Sequence, residues 1–346
     1  MSAESHYLNA LEALDEGDRE QAKSEAKKAT SLDSEHLEAW SIYVEACLPP
    51  MGMQPTMAEA ASALAGAKRI VAIDPTRLDM WMRGGRLMAD ELGMLHDALH
   101  WWQECREHLP DEVTPVVEMA SILADMGEYA LAQQRLQSIL DDNMDVGITQ
   151  FRKINGLLQL VRAAATQDER EIFRPYERHH DGWVAIRQKM RKPPLSESFI
   201  FLVTAVPILL LLVMLLGRYS APTWSAVCLN TLVIMIVILV LMRNAKRWFQ
   251  TINRPAFNLL RAMNFEAATG YVVLDEEIRT SVLCMYIMQR KPKSWQERVL
   301  KIIDKGSPLP NNWRLRLPDF TSHQDEEKEV YDFGAANAPL PAYEEE

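Results

Sequence analysis

The sequence predicts an all-α protein: paired amphipathic helices, then two bilayer-length apolar helices, then a smaller helical region. Three observations carry this. Residues 1 to about 145 repeat a helix–turn–helix pattern with a period near 34–35 residues, in the range of helical repeat proteins. Two uncharged runs follow, FIFLVTAVPILLLLVMLL (Phe199–Leu216) and WSAVCLNTLVIMIVILVLM (Trp224–Met242). Charge is also segregated: residues 1–150 carry 11 Lys/Arg against 27 Asp/Glu, and residues 151–317 carry 25 against 12. The predicted parts are a repeat region (1–148), capping helices with a basic linker (149–195), an apolar helix pair (196–243), a basic, mostly helical region (244–317) and an acidic tail (318–346).

The repeats show where helices must approach closely. In HYLNALEALDEGDREQAKSEAKKATSLDS, Ala10, Ala22 and Ala29 are the small contact residues, Gly17-Asp18 the turn and Leu32-Asp33 the end. A second unit begins at Trp40 and closes at Ile73-Asp74-Pro75, with the Pro-rich insert LPPMGMQPT (Leu48–Thr56) between its helices. The third places Trp81, Gly85, Gly93, Ala98, Trp102 and Pro110, with one extra residue before its turn. The fourth places Ala120, Gly127, Tyr129 and Ala132.

This pattern resembles the tetratricopeptide repeat (TPR) family over roughly residues 4–145. The resemblance implies an α-solenoid of stacked helix pairs whose concave groove binds a partner segment. Carried onto this sequence, that face holds Tyr7, Leu11 and Asp15, then Glu38, Ser41 and Glu45, then Asp79, Met82, Arg86 and Asp90, then Val117, Ser121 and Asp125. Some members of the family grip an acidic chain terminus with a Lys/Arg/Asn clamp, and here only Arg86 stands in such a place. A groove richer in acids implies a protein partner with a basic or amphipathic segment. The bland alternative is that these carboxylates only solvate the scaffold.

A solenoid needs its last apolar face covered. Thr149–Thr166 has the periodicity for this, with Phe151, Ile154, Leu157, Leu158 and Val161 on one face, and a second helix is expected over Asp168–Phe173. The basic stretch GWVAIRQKMRK (Gly182–Lys192) has two readings. Trp183, Val184, Ile186 and Met190 lie at the headgroup level of a membrane, or the stretch is a solvated linker helix.

Each apolar run is about 27–28 Å long as a helix, close to the hydrocarbon thickness of a bilayer. A soluble core helix would carry a polar face, and neither run does. Seven residues, Gly217–Thr223, join them, so a transmembrane helical hairpin is expected. Arg178, Arg187, Lys189, Arg191 and Lys192 precede the pair, and Arg243, Lys246, Arg247, Arg254 and Arg261 follow it; the link holds only Arg218. That distribution predicts a two-span integral membrane protein with both termini cytoplasmic. The N-terminus lacks the basic and apolar regions of a secretory signal, in keeping with that expectation. Asn230 is the polar residue of the second run. Its amide is expected to bond to the neighbouring helix, with Thr204 as one candidate, or to another membrane protein or second copy through the hairpin.

After the pair, Trp248 and Phe249 are interface anchors and Asn253-Arg254-Pro255 a break. Helices are predicted over Ala256–Ala268, Asp275–Arg290 and Ser294–Asp304, with TGYVVL (Thr269–Leu274) a candidate strand. About fifty residues promise little core of their own. From Pro318 the acidic, Pro/Ala-rich tail predicts disorder.

Chemistry is not encoded in any recognisable set. Phosphate-cradling glycine loops, G-x-S-x-G and C-x-x-C are absent from the sequence. His96 and His100 stand one helical turn apart with Glu104 beyond, but Asp97 replaces the Glu that zinc hydrolases use as base. His179-His180-Asp181 reads as a polar hinge. No enzyme activity, cofactor or metal is therefore expected, and the acidic head argues against nucleic acid. The sequence predicts a membrane-anchored protein-interaction scaffold; the alternative is a subunit or assembly factor of a larger membrane complex.

Overall fold

The computed structural model describes residues 2–142, 144, 146–166, 168–219 and 223–320. Among these residues the chain is all-helical, with sixteen α-helices and, in place of a strand, one isolated bridge between Val272 and Pro308. The chain divides into two compact units. The expected disordered tail falls, from 321 on, outside the described residues, as do 220–222 of the link.

Among the described residues, the first unit comprises those of 2–124 and 128–165 together with 310–320. Its helices are α1 (Ala3–Asp15), α2 (Arg19–Leu32), α3 (Leu37–Cys47), α4 (Met57–Ile73), α5 (Leu78–Arg86), α6 (Leu95–His108), α7 (Val113–Met126), α8 (Tyr129–Asp141) and α9 (Ile148–Ala165). From α1 to α6 each helix packs on the next in sequence, and α8 packs on α9. Alanines make the seams of the first four helices: Ala10, Ala22, Ala26, Ala29, Ala60 and Ala67 are fully buried. A methyl-sized side chain lets helix axes approach to the short end of about 8–10 Å and keeps helix propensity high.

Local chemistry sets the helix ends. Asp18 caps α2 by accepting from the Gln21 amide at 3.0 Å, after a turn in which Gly17 takes a φ of 84°. Thr56 and Glu59 form a reciprocal capping box that starts α4 directly after the Pro-rich insert. Ahead of Gly93, where the sequence suggests one extra residue, the chain makes a π-helical turn over Leu87–Glu91, closed by Leu92 N donating to Leu87 O at 2.9 Å. One residue inserted into a helix widens one turn and leaves the flanking packing in register. In front of that turn, a Cβ on Gly85 would lie 2.2 Å from Cζ2 of Trp102, so the indole occupies the space that a side chain would need.

α9 is the helix expected over Thr149–Thr166, with Ile154, Leu158 and Val161 buried. Phe151, expected on the same face, is exposed instead; it sits in the first turn, ahead of the buried stripe. The helix expected over Asp168–Phe173 is only a 3-10 turn at Glu169–Glu171, too short and too charged to bury a face. Near the end of the described chain, Arg135 of α8 is buried. It donates to Phe320 O at 3.2 Å and lies 4.6 Å from the centre of the Phe320 ring. Burial pulls its guanidinium down to about 10.

The second unit comprises residues 125–127 and 166–309. It contains α10 (Asp181–Lys189), α11 (Glu197–Tyr219), α12 (Trp224–Ile252), α13 (Arg254–Thr269), α14 (Glu276–Arg279), α15 (Val282–Met288) and α16 (Lys293–Lys305). α11 and α12 are long and apolar enough to cross a membrane, over Glu197–Arg218 and Ala226–Ile252, and they pack on each other. Their outward residues, Leu202, Leu210, Met214, Leu232 and Leu239 among them, are exposed.

The rest of this unit corrects several expectations. Trp183 and Ile186 are not at a membrane surface: they are buried with Phe173, Leu259, Met263 and Trp295 in one core. Segments on both sides of the apolar pair supply that core, so the region after α12 is not short of apolar partners. The single helix expected over Asp275–Arg290 is split into α14 and α15. Ser281 takes the N-cap place, its hydroxyl accepting from Cys284 N at 3.2 Å, while Leu283 N donates to Met190 O at 3.0 Å. TGYVVL contributes only the Val272 bridge, and its last two residues are held by fully buried Glu266. That carboxylate accepts from the amides of Val273 (2.6 Å) and Leu274 (2.8 Å) and pairs with Arg279 at 2.6 Å.

Asn253, at the joint of α12 and α13, fastens the chain entering α11. Its Oδ1 accepts from Leu195 N at 3.0 Å and its Nδ2 donates to Leu195 O at 2.8 Å. One buried amide thus satisfies both backbone groups of Leu195 and ties the start of α11 to the end of α12.

Candidate functional site

The first unit carries an open cleft of about 630 Å³ between the C-terminal end of α3, the Pro-rich insert and the face of α5. The insert is shaped by a turn from Pro50 to Met53, closed by Met53 N donating to Pro50 O at 3.1 Å, with Gly52 at a φ of 92°. A positive φ at the third residue is what a type II turn requires, and glycine adopts it without strain. The turn pushes Met51 and Met53 into solvent at the mouth of the cleft.

Arg19, the first residue of α2, closes the end of α3. Its Nη1 donates to Glu45 O and Leu48 O, each at 2.6 Å. A cation at a helix C-terminus satisfies carbonyls that the helix cannot and complements its dipole. The Glu45 carboxylate then reaches across to α5, 2.8 Å from Arg83 Nη1 and 3.8 Å from Arg19 Nη2. Asp79 at the start of α5 is gripped by Arg77 through two bonds of 2.9 and 2.8 Å. That fork holds the Asp79 carboxyl below the usual carboxylate range.

Five residues expected on the groove line this cleft: Glu45, Asp79, Met82, Arg86 and Asp90. The others lie elsewhere. Tyr7 is half-buried, with its ring 5.0 Å from that of His36, and Leu11 is exposed. Glu38 is exposed, 3.3 Å from His36 Nδ1, and the Ser41 hydroxyl donates to Leu37 O at 3.0 Å within its own helix. Ser121 is half-buried and Asp125 exposed, while Val117 is 5% exposed and belongs to the packed interior. Sequence reasoning missed Arg19 and Arg83. Arg83 stands four residues after Asp79, the helical spacing that puts both on one face.

The two added arginines change the electrostatics. The lining holds Arg19, Arg83 and Arg86 against Glu45, Asp79, Asp90 and Glu91, close to balance. Arg86 has no ion-pair partner among the described residues. Between the charges lie Leu48, Pro49, Pro50, Met80 and Met82. Methionine side chains are flexible and polarizable, so a Met-lined cleft adapts to partner side chains of different shape.

Other polar residues singled out in the sequence have structural places. His180 caps α10, its Nδ1 accepting from Gly182 N at 2.9 Å. The ring of His96 lies 6.4 Å from that of Trp313, and His100 is exposed. Among the described residues, no three His, Cys, Asp or Glu side chains gather in a metal-holding group. Burial pushes the Cys105 thiol up to about 12 and the Cys284 thiol to about 11, so both stay protonated at neutral pH. Asn230 is half-buried on α12, and the Thr204 hydroxyl donates within α11, to Ile200 O at 2.8 Å and Phe201 O at 3.1 Å. No protein-family model matches this chain, and no curated protein matches it.

Proposed function

We propose that this protein is a membrane-anchored interaction scaffold without chemistry of its own. α1–α8 serve as four TPR-like helix pairs with α9 as their cap, and α11–α12 form a two-span hairpin with both termini in the cytoplasm. The observation that carries the proposal is the cleft beside the Pro-rich insert, open to solvent and lined by methionine, proline and a balanced set of charges. Its partner is an amphipathic protein segment: apolar residues lie among Met80, Met82 and Pro50, and a carboxylate meets Arg86. The near balance of charge favours an amphipathic partner over a purely basic one. Buried alanines at the repeat seams support the TPR-like reading. The common core built from both flanks of the apolar pair supports placing those flanks on one side of the membrane.

A photo-crosslinking residue placed at Met53 or Met82 of the full chain in native membranes tests the cleft. We expect a discrete partner adduct that is absent when the probe stands at exposed Lys68 and that is lost on Arg86→Glu. The same adducts from Lys68, or adducts indifferent to Arg86→Glu, would overturn the cleft reading. Exchanging α11–α12 for an unrelated two-span anchor separates a tether from a complex subunit. Retained adducts support the tether; lost adducts with intact targeting sink it.

A further inference from the structure

We infer that the base of the apolar helix pair is a binding site for an anionic phospholipid, an inference that rests on reading α11 and α12 as membrane spans. An apolar recess of about 370 Å³ opens there, lined chiefly by Leu195, Phe249, Phe257, Leu260 and Ile287. That is roughly a dozen water-sized volumes, room for part of one acyl chain. The recess is a built feature. The Asn253 amide pins Leu195 on one wall, and the rings of Phe249 and Phe257 meet edge to face at 5.9 Å on the other.

Its depth in the membrane follows from helix length. Twenty residues from Trp224 span about 30 Å and end at Arg243. Phe249 then lies about 9 Å further along, within the headgroup layer. A lipid at that depth presents its phosphate to the rim and its chain to the recess.

The chain segments that lead into the recess carry cations that have nothing else to neutralise. Lys189, Arg191 and Lys192 precede α11, and Arg243, Lys246 and Arg247 lie on α12. All six are exposed and none has an ion-pair partner among the described residues. Cations nearer the folded core are paired instead: Arg187 with Asp275 at 2.6 Å and Arg254 with Glu171 at 3.7 Å. Lys246 is one turn before Phe249 on the same side of α12, which brings an ammonium to the mouth of the recess. Glu197 is the single acidic residue in the lining. Six unpaired cations on the segments that adjoin an apolar slot match an anionic headgroup with its chain; a free phosphate would leave the slot empty.

The test uses the full chain in mild detergent, with native mass spectrometry reporting retained lipid from equal amounts of phosphatidylglycerol and phosphatidylcholine. We expect about tenfold preference for phosphatidylglycerol, falling at least severalfold in Lys192→Gln/Lys246→Gln/Arg247→Gln, since a juxtamembrane cation contributes up to about a fivefold attraction. Ala256→Trp, which fills the recess, is expected to lower retention of both lipids at least severalfold. These charge changes are on exposed positions, and circular dichroism checks that each variant remains helical. Equal retention of the two lipids, an unchanged preference in the triple variant, or full competition by glycerol phosphate would overturn the inference. So would displacement of the lipid by an amphipathic cationic peptide that shows the same Ala256→Trp sensitivity. Alkaline carbonate extraction of membranes reads the underlying assumption separately. A chain released by carbonate fails as a membrane protein; a chain that stays but shows no lipid preference fails only as a lipid site.

Discussion

The first four helices and the second unit solve the burial problem in opposite ways. α1–α4 meet through alanines, each helix packing on its sequence neighbour. The second unit meets through Phe173, Trp183 and Trp295, drawing residues near 180 against residues between 259 and 299. An alanine seam gains little from each side chain and depends on close fit over many places. An aromatic core depends on a few large residues, each burying far more surface. Burial is thus spread thinly over many small residues in one region and concentrated in a few large ones in the other.

The largest expected effect breaks the comparison at its concentrated end. Trp295→Ala removes a fully buried indole and should destabilise the second unit by about 3–5 kcal/mol. Thermal unfolding followed by hydrogen exchange should show protection lost in α13–α16 and kept in α1–α4. Equal loss in both would mean that the two regions unfold as one. In the alanine seams the sensitive direction is reversed. Ala26→Leu inserts bulk where no space exists and should cost about 1–3 kcal/mol, whereas truncation offers nothing to remove. A denaturant midpoint unchanged by Ala26→Leu would show that the seam is looser than its burial implies.

The buried thiols sharpen the contrast by pH. Cys105 in the first unit and Cys284 in the second hold their protons to about 12 and about 11, whereas an unfolded chain releases them above about 8.5. Each therefore adds no pH dependence below about 8.5 and loses stability above it, at up to about 1.4 kcal/mol per pH unit. Between pH 8 and 10, wild type should lose about 1–2 kcal/mol more than Cys105→Ala, measured by urea unfolding. An identical loss in the variant would refute the protonated-thiol account. The smallest effect is expected at the cleft. Arg83→Gln breaks a half-exposed ion pair with Glu45 and should change stability by less than about 1 kcal/mol. A larger drop would make that pair part of the fold's stability and not a feature of its surface.

What was legible in the sequence follows the same division. Alanine spacing, the Gly17-Asp18 turn and the extra residue before Gly93 are local signals, and each has a local counterpart: a buried seam, an N-cap, a π turn. The long apolar runs were equally plain, because length and composition suffice. Trp183 and Ile186 misled because an amphipathic basic helix looks alike whether its apolar face meets lipid or a core formed by residues nearly a hundred places away. At the cleft, Glu45, Asp79, Met82, Arg86 and Asp90 could be named from what the repeat resemblance implies for one helix face. Arg19 could not, since its reach to the end of α3 depends on how two helices cross, and neither could the lining role of the insert.

The core that straddles the apolar pair also sets an order of events during synthesis. Trp183 and Ile186 leave the ribosome with their partners still unmade, and about 113 residues must follow before Val299 is added. At about 5–20 residues per second this is a wait on the order of ten seconds, during which both long apolar helices must also find their place. The alanine-seamed helices, whose partners are their immediate neighbours, close as they emerge. The protein is therefore assembled with its alanine-seamed helices closed early and the core of its second unit left open until Val299 has emerged, and that interval is when a chaperone has most to protect.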